Sequence, residues 1–141
     1  MNFDKYTERS RGFVQAAQAL ALRSDHQRLT PEHLLKILLD DEEGLAAGLI
    51  RKAGGDPKLA LQKTEQALAK LPKVTGGGAG NLALDPALAK LFDQAEQIAK
   101  KAGDSYVTAE RLLLALALAE GQPCADALKA AGVNPQSINS A

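Results

Sequence analysis

The strongest constraint on this chain is that it carries one phrase twice. "LTPEHLLKILL" begins at Leu29 and "VTAERLLLALA" begins at Val107, an offset of 78 (107 − 29 = 78). The same offset aligns much more. Ala17 meets Ala95, Ala21 meets Ala99, Thr30 meets Thr108, and Glu32 meets Glu110. Leu34, Leu35 and Leu38 meet Leu112, Leu113 and Leu116, and Pro57 meets Pro135. Residues 7–57 match 85–135 without a gap, with about 12 of about 51 positions identical. Such self-similarity marks a duplicated supersecondary unit, so the fold is expected to be one unit packed against its own copy.

The unit is helical. Thr30-Pro31, Asp56-Pro57, Asp85-Pro86 and Asn134-Pro135 each suit an N-cap followed by a first helical residue. There the side-chain oxygen takes an orphan N–H, and proline lacks one that would have had no partner. Thr7 and Thr108 suit N-caps without proline, and Gly44 or Gln122 can open further short helices. Gly54 and Gly132 follow apolar segments and suit left-handed positions just past a helix. Phe13, Val14, Ala17, Leu20 and Ala21 form one helical stripe; Leu88, Leu91, Phe92, Ala95, Ile98 and Ala99 form another. Leu112 to Ala119 is apolar all round, which places that helix at the centre. The expectation is an all-α fold of about eight helices, four per repeat, related by a pseudo-twofold. It is read as a single domain over 1–141, with repeat one at about 3–71, a linker at about 72–84 and repeat two at about 85–141. Each half alone has a thin core, so the two should fold together.

Several function classes are disfavoured. Charges balance to a formal net of +0, which lacks the basic signature of a nucleic-acid binder. One cysteine, Cys124, permits no intrachain disulfide and suits a reducing compartment. The N-terminus "MNFDKYTERS" has neither a signal core nor a transit-peptide character, so a cytoplasmic location and no membrane contact are expected. "TGGGAGNL" has the glycines of a phosphate loop but neither its Lys nor its Ser/Thr, and reads as a flexible linker. His26 and His33 are the two histidines; as lone residues on separate elements they are expected at the surface or at helix ends, without a metal. Cys124 reads as a small buried residue, and "DDEEG" at 40–44 as a solvated turn after a helix. No nucleophile–base–orienter set is visible, so catalysis by this chain is not expected.

The duplicated unit "TERSRGFVQAAQALALRSDHQRLTPEHLLKILLDDEEG", the ends "KAGGDP" and "KAAGVNP" and the linker "LPKVTGGG" resemble the Clp N-terminal repeat domain. Within that family they are most similar to the ClpB disaggregase branch. The resemblance implies the substrate-recognition domain of a hexameric AAA+ ATPase, monomeric in isolation and itself without cofactors. ATP and Mg belong to ATPase domains outside this chain. It implies as partners unfolded or aggregated polypeptides, possible adaptor proteins, and a DnaK-type chaperone system acting through the full-length protein. It also supplies candidate substrate-binding residues: Thr7, Asp104 and Glu110, with Leu88, Leu91 and Phe92 as apolar partners in a groove along the seam between repeats. Each has a plainer structural role available. Thr7 suits a cap, Glu110 (like Glu32) suits a first helical turn, and Leu91 and Phe92 fit the core stripe. The alternative is an adaptor-docking domain like those of ClpA and ClpC. In ClpC-like domains acidic residues are associated with phosphoarginine, an activity not carried over to Glu32 and Glu110.

Overall fold

A computed structural model describes residues 3–41, 43–74 and 82–140. Capping sets where the helices start. α1 (Glu8–Arg23) opens at Thr7, whose Oγ1 accepts the Ser10 N–H. After strand β1 (Arg28–Leu29), α2 (Pro31–Leu39) opens at Thr30. α3 (Leu45–Lys52) opens at Gly44, which adopts φ 69°. α4 (Pro57–Ala69) opens at Asp56, whose carboxylate accepts the Lys58 N–H. The second repeat begins with β2 (Ala83–Leu84) and α5 (Pro86–Lys101), capped by Asp85 through the Ala87 N–H. α6 (Ala109–Leu118) is capped by Thr108, α7 (Pro123–Ala130) follows Gln122, and in α8 (Pro135–Ser140) Ser137 donates to Asn134. The eight expected helices are all present among the described residues. So are the left-handed glycines Gly54 and Gly132, both at φ 87°. The glycine-rich linker lies largely outside the described residues.

The offset of 78 maps α1 to α5, α2 to α6, α3 to α7 and α4 to α8. The packing obeys the same map. α1 lies on α2 as α5 lies on α6; α4 meets α7 as α8 meets α3; and α2 and α6 meet each other near the axis. The short strands repeat the rule. Leu29 pairs in parallel with Leu84, and Val107 pairs in parallel with Tyr6. Since 29 + 78 = 107 and 6 + 78 = 84, each repeat lends its entry strand to the other. Asp85 N–H donates to the Leu29 carbonyl at 3.0 Å and Thr7 N–H to the Val107 carbonyl at 3.1 Å, again as symmetry mates. The pseudo-twofold is therefore a property of the hydrogen bonding as well as of the sequence.

The core is continuous across both repeats. Seven residues of α6, Ala109 and Leu112 through Ala117, are buried, as its unbroken apolar run requires. Leu88, Leu91 and Phe92 of α5 join it at 1%, 2% and 1% exposure. Phe92 makes edge-to-face contacts with Phe3 and Tyr6, at centroid distances of 5.3 and 6.0 Å. At the axis the two inter-helix loops touch. A Cβ on Gly55 would sit 2.5 Å from Val133 Cγ2, and 55 + 78 = 133, so Gly55 faces its own symmetry mate. The absence of a side chain at Gly55 makes the room that Val133 fills.

Candidate functional site

The polar candidates gather around the start of α6. Helix α5 ends in a left-handed residue, Gly103 at φ 78°, and the Asp104 N–H closes back on the Ala99 carbonyl at 2.9 Å. This turns the chain so that the half-buried Asp104 carboxylate meets Arg111 Nε at 2.8 Å. Arg111 stands at the third position of α6, and its Nη1 reaches the Asn139 side chain of α8 at 3.5 Å. Glu110, in the same first turn, is exposed. Asp104 and Glu110 share the wall of a cleft of about 270 Å³ with Leu49 from the first repeat and with Arg111, Leu114 and Asn139 from the second. The cleft thus crosses the seam between repeats.

Asp104 also borders a second, larger groove, about 510 Å³, on the other side of the same turn. Its walls include Lys5, Glu96, Ala99, Tyr106 and Val107. Thr7 does not line either opening. It sits behind the second groove, with its N–H on the Val107 carbonyl and its hydroxyl donating to Ser10 Oγ at 2.9 Å. Ser10 in turn donates to the same Val107 carbonyl at 3.0 Å. The side chain of Thr7 is therefore committed to capping α1 and bracing the Tyr6–Val107 bridge.

The apolar candidates fall elsewhere. Leu88 and Phe92 are core residues with no surface to offer, and Leu91 is 2% exposed. A stripe at helical spacing cannot by itself say which face meets solvent, and here it meets α6. The exposed apolar side chain at this site is Tyr106, at 53%. The repeat phrase itself hides it: Tyr106 occupies the position of Arg28 in the first copy (28 + 78 = 106). The signal for it is alternation. Val107 is buried in an extended segment, so its neighbour must point to the opposite side.

The histidines, Glu32 and Cys124 meet their expectations to different degrees. His26 and His33 do lie at helix ends, but both are buried, at 7% and 0%, and their Nδ1 and Nε2 approach to 2.8 Å. They find in each other the partner that a surface position would have found in water. Among the described residues no group of three or more His, Cys, Asp or Glu is placed to hold a metal. Glu32 lies in a first turn as expected, but its buried carboxylate reaches across the seam to accept the Cys124 N–H of α7 at 2.9 Å. Burial raises its pKa, and the bond from Cys124 opposes that shift without cancelling it. Cys124 is fully buried, which pushes its thiol pKa up and leaves it without thiolate chemistry.

Residues 5–131 match the Clp repeat (R) N-terminal domain family. The chain is 57% identical over all 141 residues to chaperone protein ClpB of Rhodopseudomonas palustris, of whose length it spans 16%. Among solved structures it is similar to the Hsp104 N-terminal domain from Candida albicans, with a TM-score of 0.80 at 21% identity over 97% of this chain and 88% of that one. It is also similar to the ClpV N-domain in a complex with a VipB peptide, with a TM-score of 0.74 at 20% identity over 96% and 83%. No described helix is long and apolar enough to cross a membrane. With nearly its whole length matched, its eight helices arranged as two pseudosymmetric repeats, and a ClpB chaperone among its relatives, this chain belongs to the Clp repeat N-terminal domain family.

Proposed function

We propose that this domain captures unfolded polypeptide for a ClpB-type ATPase, and that capture occurs at the Tyr106–Asp104 surface of the second repeat. The observation that carries this reading is Tyr106: a half-exposed aromatic ring beside a 510 Å³ groove, next to a carboxylate. An exposed ring can bury apolar side chains of many sequences at roughly 25 cal/mol per Å², which gives weak and sequence-tolerant binding. Lys5 and Glu96 on the groove walls and Asp104 at its edge supply polar anchors of both signs for a peptide backbone. Thr7 contributes from behind by holding the Val107 strand in place, and Glu110 extends the surface into the neighbouring cleft. Nucleotide turnover, hexamer assembly and any DnaK-type collaboration are assigned to the remainder of the longer relatives. The cytoplasm is the proposed compartment.

The test is an NMR titration with reduced, carboxymethylated α-lactalbumin, following each backbone amide. Shifts at Lys5 and from Gly103 through Glu110, weakened at least fivefold by Tyr106→Ser with an unchanged Tm, are expected. Shifts confined to the first repeat would remove the assignment. A second reading, docking of one defined partner, draws on the solved ClpV N-domain complex with a VipB peptide. Tight 1:1 binding of a folded adaptor with no response to the unfolded protein would favour that reading.

A further inference from the structure

The pseudo-twofold pairs two staples of different chemistry. In each repeat the residue just after the first helix reaches the third residue of the second helix, seven positions on. In the second repeat these are Asp104 and Arg111, joined at 2.8 Å as an ion pair. In the first repeat the same positions (104 − 78 = 26 and 111 − 78 = 33) hold His26 and His33, joined at 2.8 Å. The flanking backbone is also equivalent. His26 N–H donates to Ala21 O at 3.0 Å, as Asp104 N–H donates to Ala99 O at 2.9 Å. One staple is a charge pair; the other must be neutral.

The hydrogen bonds dictate that neutrality. Thr30 N–H donates to His33 Nδ1 at 3.0 Å, and the Thr30 hydroxyl lies 2.9 Å from the same nitrogen. His33 thus stands where a Glu or Gln would complete a capping box. Its Nδ1 accepts, so its proton is on Nε2 and is given to His26 Nδ1. His26 must then carry its own proton on Nε2, and that buried atom has no hydrogen-bond partner among the described residues. Adding a proton to His26 Nδ1 sets two donors face to face. The clash is relieved only if His33 moves its proton to Nδ1, which takes the acceptor away from Thr30 N–H. Charging the pair therefore breaks the cap of α2.

The pair also holds the segment that leaves the first repeat. His26 forms an antiparallel bridge with Lys73, and Val74 N–H donates to Asp25 O at 2.8 Å. Leu71 and Pro72 line a cleft on one side of His26, and Lys73 lines another with it. The segment is thus paired to the backbone beside His26, whose Nε2 is buried. The charged groups around the pair are Asp25, Arg28 and Lys73 beside His26, Lys36 of α2 and Glu65 of α4 in the shared cleft, and Asp85 at the start of α5. Glu32, on the same helix as His33, is engaged with α7 instead.

We propose that the His26–His33 pair is an acid-sensitive latch: protonation frees the segment Leu71–Val74 from the first repeat, while the Asp104–Arg111 pair holds the second repeat closed. Burial lowers both imidazoles, His33 to about 4, and the charge of Lys73 adds to the lowering at His26. A group depressed in the closed state binds fewer protons there than in the open state. The latch is then tight above the ordinary histidine value of 6.5 and weakens as pH falls toward 4. With His33 going from about 4 to its ordinary 6.5 on opening, the opening constant rises about thirtyfold between pH 7.5 and pH 5.

Amide hydrogen exchange, expressed as protection factors at pH 7.5 and pH 5, tests this. Protection at Thr30, whose N–H donates to His33 Nδ1, and at Val74, whose N–H donates to Asp25 O, is expected to fall about thirtyfold while Asp104 in the second repeat's staple keeps its protection. A fall shared equally by Asp104, or none at Thr30 and Val74, would overturn the latch. The graft His26→Asp with His33→Arg copies the second repeat's staple into the first and is expected to abolish the acid response; a graft that folds yet keeps the response also overturns it. Should the graft fail to fold, the contrast of Thr30 and Val74 with Asp104 in the unaltered chain still decides.

Discussion

Replacing Gly55 by alanine should destabilise the domain even though its backbone permits any residue. Gly55 is absent from the residues with positive φ, so alanine there avoids backbone strain. By itself the change should stabilise by about 0.4–1 kcal/mol, through a less flexible unfolded chain. The added Cβ, however, would sit 2.5 Å from Val133 Cγ2 and 3.0 Å from both the Ala131 carbonyl oxygen and Ile50 Cγ2. Carbon atoms prefer about 3.5–4.0 Å, so Val133 must retreat by about 1 Å. The loop has little room to give, because Ala131 O accepts the Asp56 N–H at 2.9 Å, and Val133 and Ile50 are 4% and 0% exposed. Overpacking of this kind costs about 1–3 kcal/mol, so the net loss is about 1–2 kcal/mol, or about 3–8 °C in Tm. Thermal and guanidinium unfolding followed by far-ultraviolet circular dichroism suit a chain without tryptophan. In a Val133→Ala background the nearest contact is gone, and the same substitution should cost less by at least 1 kcal/mol. Additive effects in this double-mutant cycle, or a Gly55→Ala chain as stable as the parent, would refute the idea that the two repeats meet tightly here.

Glu32→Ala leaves the Cys124 N–H buried without an acceptor and should cost about 1–3 kcal/mol in urea denaturation. Glu32→Gln keeps an acceptor. Because the folded state raises the Glu32 pKa, the protonated carboxyl group contributes stability at low pH that is lost as pH rises past its ordinary range. The Gln variant should therefore gain relative to the parent between pH 4 and pH 7, and a constant difference in Tm across that range would contradict this. Arg111→Met cuts the half-buried bond to Asp104 and should cost about 1 kcal/mol, losing about half of that in 1 M salt. Leu113→Ala, deep in α6 at 1% exposure, should cost about 2–5 kcal/mol by the same denaturant assay.

Legibility in the sequence follows the range of the interaction. Caps and left-handed turns are local, so Thr7, Asp56, Asp85, Thr108, Gly54 and Gly132 announce themselves within four residues. The offset of 78 extends that reach, because symmetry turns one local reading into a tertiary rule. It does not reveal which contacts cross the axis. Glu32 looks like an ordinary first-turn carboxylate until α7 is brought to it from 92 residues away. His26 and His33 look like isolated histidines until the turn after α1 folds one onto the other. The stripe of α5 reads as core in the sequence and is core in the structure, where Leu88, Leu91 and Phe92 are buried; the groove role that the resemblance lends them finds no surface there.

The differences between the two copies are where specialised roles concentrate. Both repeats need a cap, a staple and a seam contact, and either copy can meet each need with different residues. Glu32 is spent on capping α7, whereas its mate Glu110 stands exposed on an open cleft. Arg28 has as its mate Tyr106, an aromatic facing water at 53%. The neutral staple His26–His33 has as its mate an ion pair. In each of these pairs the first copy supplies a buried or polar group where the second presents charge or aromatic surface outward. A duplicated fold can sustain this because the leucines shared by α2 and α6 and the alanines shared by α1 and α5 hold the architecture. The rim positions are then free to diverge, and on the two proposals made above one copy serves proton response and the other recognition. The symmetry that makes the fold readable thus also locates the candidate site: it lies where residues 78 apart stop agreeing.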